Sequence, residues 1–243
     1  VSFQLGKYDK RTELVIDPVL VFASYSGSYS DNFGMTATYD YDGNMFSGGM
    51  AFGNEYPTTT GAYDELSNFP GISGTFGYTD AVITKYSSDG SSRIYSTYIG
   101  GGTSNQGTET VHSLISDQAG NLYLYGVTSS ADFPVSTGAY DESFNGGNTV
   151  TFNGTGTNFS NNGTDIYVAK LNPDGSDLLG STFIGGSGND GINYNTNVNA
   201  SDSLYFNYGD YFRGEIMLDE NNDVYVGTCS RSFDFPTLNA YQN

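Results

Sequence analysis

The segment Asp40–Asn44 reads Asp-Tyr-Asp-Gly-Asn, and its alternating carboxylate and amide side chains are similar to the start of a calcium-binding loop. Calcium takes about six to eight oxygen ligands, and such a loop ends in a more distant glutamate, which the sequence lacks at that spacing. The aspartate recurs at Asp117 and Asp219, without both Asp42 and Asn44 being kept. The favoured interpretation is a tight turn. No residue is predicted to bind a metal or cofactor, although the net charge of -19 leaves weak calcium binding open.

Two adjacent pairs of acids, Asp64-Glu65 and Asp141-Glu142, are candidates for glycoside hydrolysis. That reaction needs two carboxyl groups about 5 to 10 Å apart on either side of the scissile bond. Both pairs, however, follow the tripeptide Gly-Ala-Tyr at matching positions of a repeated sequence. Recurrence at one repeat position favours a structural or solvent-exposed role over catalysis.

His112 is the only histidine, so a Ser-His-Asp arrangement would have to use it. Such a triad also needs a nucleophile and an orienting acid, and no motif identifies either. No catalytic residue is assigned, and the chain is predicted not to be an enzyme.

The composition suits short strands joined by tight turns, since the chain has 33 Gly, 21 Tyr and 16 Phe. Glycine permits positive φ angles, and aromatic residues favour pleated surfaces. We therefore predict an all-β fold. The one cysteine, Cys229, cannot form an intrachain disulfide and is predicted to be a small buried side chain in a strand.

The charge balance bears on partners, because 27 acidic side chains stand against 8 basic ones and the basic ones form no cluster. Nucleic-acid phosphates and anionic membrane surfaces both attract clustered Lys and Arg. Binding to nucleic acid is therefore not expected. Membrane insertion is not expected either, because no apolar run approaches the length of a membrane-spanning helix.

The strongest signal is an internal repeat with two landmarks. Its first block runs from Asp117 to Pro134, is echoed from Asp219 to Pro236, and has a weaker copy from Asp40 to Pro57. The aspartates and the prolines are each separated by 77 and then 102 residues. Because two independent landmarks share these separations, the register of the repeat is fixed.

A second block completes each unit. Asp80–Gly90 matches Asp165–Gly175, and both are followed by Ser-Thr-Tyr/Phe-Ile-Gly-Gly, ending at Gly101 and Gly186. Phe22-Ala-Ser-Tyr-Ser-Gly27 is a degenerate copy of this ending. Each unit thus predicts four strands, with an Asp-Gly hairpin between the last two. The third strand, 81–86 or 166–171, is apolar on both faces and predicted to be buried on both.

Insertions explain the unequal repeat lengths. They lie at Ser67–Thr79, Ser143–Gly163 and Ser187–Gly214 and are rich in Gly, Asn, Ser and Thr. Such segments bury little apolar area and are predicted to be loops. Aromatic residues in them offer surfaces for stacking on sugar rings.

The combined blocks resemble the bacterial SBBP repeat, whose members carry Asp-x-x-Gly-Asn-x-Tyr, Gly-x-Thr-x-Ser-x-Asp-Phe-Pro, Asp-x-Phe-Val-x-Lys-Leu and Tyr-Ser-Thr-Tyr-x-Gly-Gly. The resemblance covers about residues 20–243, and the middle unit matches best. Its matching residues are Gly120, Asn121, Tyr123, Gly126, Thr128, Ser130, Asp132, Phe133, Pro134, Asp165, Val168, Lys170 and Leu171. The first unit departs from the pattern by having Tyr56-Pro57 in place of Phe-Pro.

The resemblance implies a β-propeller-like array of four-stranded antiparallel blades. Units are expected at about 20–101, 102–186 and 187–243, after a tail or linker at 1–19 that leads from a preceding β-domain. The third unit lacks its last two strands, so an incomplete propeller is expected. Other protein segments or partner chains would then complete it.

The resemblance also implies a secreted or cell-surface bacterial protein, exported in Bacteroidota through the type 9 secretion system. The predicted function is a non-catalytic structural or interaction module in adhesion, surface or appendage architecture, with surface glycans as candidate ligands. The alternative is a polysaccharide-active enzyme or carbohydrate-binding protein that uses the insertion loops.

Overall fold

The computed structural model describes residues 7, 11, 20–68, 78–102, 107–150, 162–193, 212 and 214–241. In these residues the regular structure is β-strand, arranged as two four-stranded antiparallel sheets and one two-stranded sheet. The strands are β1 (Asn32–Tyr39), β2 (Met45–Ala51), β3 (Asp80–Tyr86), β4 (Arg93–Ile99), β5 (Glu109–Ser116), β6 (Leu122–Thr128), β7 (Asp165–Leu171), β8 (Leu178–Ile184), β9 (Gly214–Leu218) and β10 (Val224–Thr228). The all-β prediction and the four-stranded antiparallel units are confirmed. No helix of the described residues is long and apolar enough to cross a membrane.

The first two strands of each unit are joined by the repeated aspartate turn. In the first unit the Gly43 N–H donates to the Asp40 carbonyl, and Gly43 has a φ of 80°. Gly120 has a φ of 83° in the second unit, and Asn222 has a φ of 64° in the third. Glycine and asparagine are the residues that adopt this left-handed conformation most readily. The repeated turn therefore joins the first two strands at the positions that the repeat predicts.

The first strand of both complete units is interrupted at the same place. The pairing of β1 with β2 shifts between Gly34 and Thr36, and that of β5 with β6 shifts between Val111 and Ser113. Met35 and His112 are the skipped residues. An extra residue of this kind is a β-bulge, which increases local twist. The only histidine thus occupies a repeated structural position.

The main core lies between the two four-stranded sheets. Its buried apolar side chains come from β2, β3 and β4 on one side and from β5, β6, β7 and β8 on the other. Along β6 the side chains alternate: Leu122 and Leu124 face the first sheet, while Tyr123 and Tyr125 face the cluster that contains Ile216 of β9. The second sheet is therefore apolar on both faces. The two-sided burial predicted for the third strands is seen in β3, where six of seven residues are buried, and in β7, where five of seven are buried.

The outer edge of each complete sheet is covered by the Gly-Ala-Tyr-Asp-Glu segment. The Thr59 N–H donates to the Ser96 carbonyl, and the Tyr98 N–H donates to the Asp64 carbonyl. Unpaired edge strands invite aggregation, and covering them with a loop is a common protection. Most of the three insertions and of the tail at 1–19 lies outside the described residues.

Candidate functional site

A buried pair of carboxyl groups lies where the first sheet meets the second. Asp80 begins β3 and Glu109 begins β5, and both side chains are buried. The Asp80 Oδ2 atom accepts the Asn68 N–H at 2.7 Å. Glu109 accepts the Gly101 N–H at 3.3 Å through Oε2 and the Thr128 hydroxyl at 2.6 Å through Oε1. We call Asp80, Glu109 and the groups that bind them the first junction.

Burial opposes the charged form of both acids of the first junction. Burial raises the pKa of Asp80 to about 6. Burial, and then the charge of Asp80, hold the pKa of Glu109 well above its usual value. Among the described residues, no N–H or hydroxyl group donates to Oδ1 of Asp80. Because two adjacent buried carboxylates repel each other, this site favours the protonated form of Glu109.

A second junction repeats this arrangement between the second sheet and the third unit. Asp165 begins β7 and accepts the N–H groups of Asn145 at 2.6 Å and Gly146 at 3.0 Å. Its neighbour Asp190 accepts the Gly186 N–H at 2.8 Å and the Ser232 hydroxyl at 2.7 Å. Burial raises the pKa of Asp165 to about 7, and the charge of Asp190 adds to the shift.

The Gly-Gly pairs are required by these junctions. A β-carbon at Gly100 or Gly185 would collide with the carboxyl group of Asp80 or Asp165, respectively. At the second glycine, Gly101, a β-carbon would collide with the loop of the following unit. The repeated Gly-Gly therefore lets the backbone approach the buried acids closely.

The aspartate of the Asp-Phe-Pro motif binds the residue that directly follows Gly-Gly, and its loop packs against the second glycine of the preceding unit. Asp132 Oδ1 accepts the Gly102 N–H at 2.7 Å. Asp234 Oδ1 accepts the Ser187 N–H at 2.8 Å, in the same way. Two motifs that are far apart in sequence, Gly-Gly and Asp-Phe-Pro, are thus two halves of one contact between successive units.

The repeated turn aspartate is also a structural group. Asp40 Oδ1 accepts the N–H groups of Asp42 and Asn44, and its Oδ2 lies 3.0 Å from Lys85 Nζ. Asp117 makes the equivalent contacts, with Lys170 Nζ at 3.4 Å. Burial opposes ionisation of both acids, but the hydrogen bonds of the turn outweigh it and lower the pKa of each. The turn interpretation fits this geometry.

The candidate hydrolytic acids bind their own loops. Glu65 accepts the Gly61 N–H at 2.8 Å, and Glu142 accepts the Gly138 N–H at 2.6 Å. Asp64 and Asp141 each accept the N–H two residues further along, at 3.1 Å and 2.8 Å. The two pairs therefore have identical local roles.

The remaining candidates fall at separate places. His112 is half-buried at the β5 bulge, with its ring 5.3 Å from that of Phe212. Cys229 follows β10 and is half-buried, so the prediction of a buried strand cysteine was wrong. The third unit leaves this position partly open. In the described part of the chain, no group of three or more His, Cys, Asp or Glu side chains is placed to hold a metal ion.

The junction acids Glu109 and Asp190 were not identified from the sequence. They differ in residue type, and they follow their Gly-Gly pairs by different numbers of residues. Each lies near the start of a new unit, and that position was the available signal. Because Asp80 and Glu109 are both enclosed, the pair presents no open face to a substrate. No protein-family model and no curated protein matches the chain.

Proposed function

We propose that the chain is a non-catalytic structural and interaction module of a large secreted or cell-surface bacterial protein. The observation that carries this proposal is the repeated junction. At two successive boundaries between units, a pair of buried carboxyl groups lies against a Gly-Gly pair, and the second acid accepts the N–H of the second glycine. A chain that builds the same rigid contact twice has the properties of a scaffold.

We further propose that the units form a β-propeller-like array. In support, β5 packs against β1, β2 and β3 of the sheet before it, and β9 packs against β5 and β6. The degenerate copy of the fourth-strand block, which lies before β1, packs on the first unit in the same way as β4 packs on the second. Phe22 lies over Gly90, and Tyr95 lies over Gly175. Phe22 thus takes the place that a fourth-strand aromatic residue takes one unit later.

The surface of the array suits binding to other exported molecules. Several tyrosines are largely exposed, and exposed aromatic rings can stack on sugar rings. They are Tyr25, Tyr29, Tyr39, Tyr41, Tyr140, Tyr225 and Tyr241. Surface glycans and exported proteins are therefore the proposed ligands, in adhesion or in surface or appendage architecture.

The test is a glycan-array and pull-down screen with the intact protein, run beside assays for polysaccharide cleavage. Specific binding without cleavage supports the module. A complete absence of ligands overturns it.

Polysaccharide cleavage would favour the enzyme alternative, and the repeat supplies a matched control. Activity that is lost in Asp141→Ala or Glu142→Ala, but kept in Asp64→Ala and Glu65→Ala, would assign catalysis to the second unit. Because the two pairs make the same local hydrogen bonds, their structural costs should be similar.

A further inference from the structure

The two junctions hold four carboxyl groups that are almost fully buried, each 1% exposed or less. They are Asp80, Glu109, Asp165 and Asp190. The lysine ion pairs of the described residues lie elsewhere, because Lys85 and Lys170 bind the aspartate turns. A buried carboxylate without a cation is strongly disfavoured, so such a group keeps its proton to a higher pH than it would in water.

Among the described residues, the titratable side chains packed around each pair are acids, tyrosines and one cysteine. At the first junction they are Asp64, Tyr98, Asp132 and Tyr167. At the second junction they are Tyr125, Asp141, Cys229 and Asp234. Arg231 meets the second junction through its backbone N–H, which donates to the Asn189 carbonyl at 3.1 Å, and its side chain is exposed. The surroundings of both pairs therefore favour the neutral form of the acids.

The acids lie directly against the glycine backbone that joins one unit to the next. A β-carbon added to Gly100 would lie 2.3 Å from Asp80 Oδ1, and one added to Gly185 would lie 2.5 Å from Asp165 Oδ1. This spacing leaves no room for a water molecule between the acid and the glycine. An ionised acid at either junction therefore stays unhydrated unless the two units separate and admit water.

We propose that the two junctions are a pH-sensitive switch: their carboxyl groups hold successive units together while protonated, and let the units separate locally when ionised. This inference goes beyond the proposed function, which concerns what the module binds. In the open state the acids are hydrated and have their ordinary acidity. Acidic solution therefore favours the closed boundary, and neutral to alkaline solution favours the open one.

The two boundaries should respond to pH by different amounts. Burial raises the pKa of Asp165 to about 7 and that of Asp80 to about 6, from the ordinary value of 3.8. Between about pH 5 and pH 8, the equilibrium constant for opening should rise about 80-fold at the second junction and about tenfold at the first. The second boundary should therefore be the more responsive of the two.

Hydrogen exchange of the full chain, followed by mass spectrometry from about pH 5 to pH 8, measures this opening. The rates are corrected for the pH dependence of exchange in an unstructured peptide. Protection of the N–H groups of Gly101 and Gly186, which donate to the junction acids, should fall by the factors given above. Protection in β6, an inner strand of the second sheet, should fall much less, because the sheets stay folded.

The two junctions serve as controls for each other. Asp165→Asn cannot ionise and should keep Gly186 protected at about pH 8, while Gly101 responds as in the wild type. Asp80→Asn should keep Gly101 protected and leave Gly186 responsive. Asp89→Asn changes an exposed turn acid and should alter neither response. Thermal melting shows whether each variant keeps its fold, and the wild-type profile decides the test where a variant does not fold.

Three results would overturn the inference. They are corrected protection that is equal at both ends of the pH range, an equal loss of protection in β6, and an unchanged response of Gly186 in folded Asp165→Asn. None of these results depends on the ligand screen. Failure of the switch and failure of the proposed function are therefore distinguishable.

Discussion

The two junctions have the same arrangement but are built from different pairs of acids. The first pairs Asp80 with Glu109, and the second pairs Asp165 with Asp190. Glu109 accepts the hydroxyl of Thr128 in β6, whereas Asp190 accepts the hydroxyl of Ser232, which lies in the loop after β10. The acid that begins the third strand and the glycine beside it are common to both. The comparison teaches that these two positions define the junction, while the second acid varies with the loop that supplies it.

The largest expected effect is a dependence of stability on pH. Folding raises the pKa of Asp165 to about 7 and that of Asp80 to about 6, from 3.8. Between about pH 4 and the raised pKa of each acid, the folded state binds more protons than the unfolded state. The stability that is present below about pH 4 is therefore lost as the pH rises through about 6 and 7. For Asp165 the loss is on the order of 4 kcal/mol.

Denaturant unfolding of the wild type and of Asp165→Asn and Asp80→Asn from pH 4 to 8 measures this dependence. Relative to each variant, the wild type should lose stability steadily from about pH 4, and the loss should level off above about pH 7 for Asp165 and above about pH 6 for Asp80. Parallel curves for all three proteins would show that neither acid is titrating in this range.

The next effect concerns the lysines, which differ in burial between the units. The Lys85 and Asp40 side chains are 7% and 4% exposed, while Lys170 is 29% exposed. Lys85→Met leaves a buried carboxylate without its cation and should cost about 3 kcal/mol. Lys170→Met should cost about 1 kcal/mol, since water reaches that pair. Equal losses of unfolding free energy would contradict this ranking.

A smaller effect is expected from adding a methyl group at the glycines. Gly100→Ala and Gly185→Ala place a β-carbon against the carboxyl pair and should each cost about 2 kcal/mol. Gly180→Ala is the control, because no atom lies within 4 Å of its added β-carbon. Thermal melting checks all three. An unchanged melting temperature in Gly100→Ala or Gly185→Ala would show that the added methyl group fits at that junction, against the prediction.

The smallest effect tests the motif aspartates. Asp132→Ala and Asp234→Ala each remove the acceptor of a backbone N–H and should cost about 1 kcal/mol. Proteolysis should be faster beside the residue whose N–H loses its acceptor, which is Gly102 in the first variant and Ser187 in the second. If Asp234→Ala has no effect, the second boundary is held by Asp190 alone.

Much of the fold was predictable because the repeat has short, chemically specific landmarks. The Asp turns, the Asp-Gly hairpins and the strand with lysine at its sixth position all lie where the sequence predicts. The junctions were not predictable, because their acids come from different units and different strands. The sequence shows Asp80 and Glu109 as separate residues, and only the packing of β5 on β3 makes them a pair.

The contact between Gly-Gly and the next unit also has a direction. At both boundaries one unit contributes the N–H of its second glycine, Gly101 or Gly186, and the next unit contributes the carboxylate that accepts from it, Glu109 or Asp190. In the language of symmetry, this is a heterologous, head-to-tail interface, which generates closed rings or open spirals and never a two-fold dimer. Any assembly that extends by this contact therefore has two unlike ends, and its closure depends only on the angle between successive units.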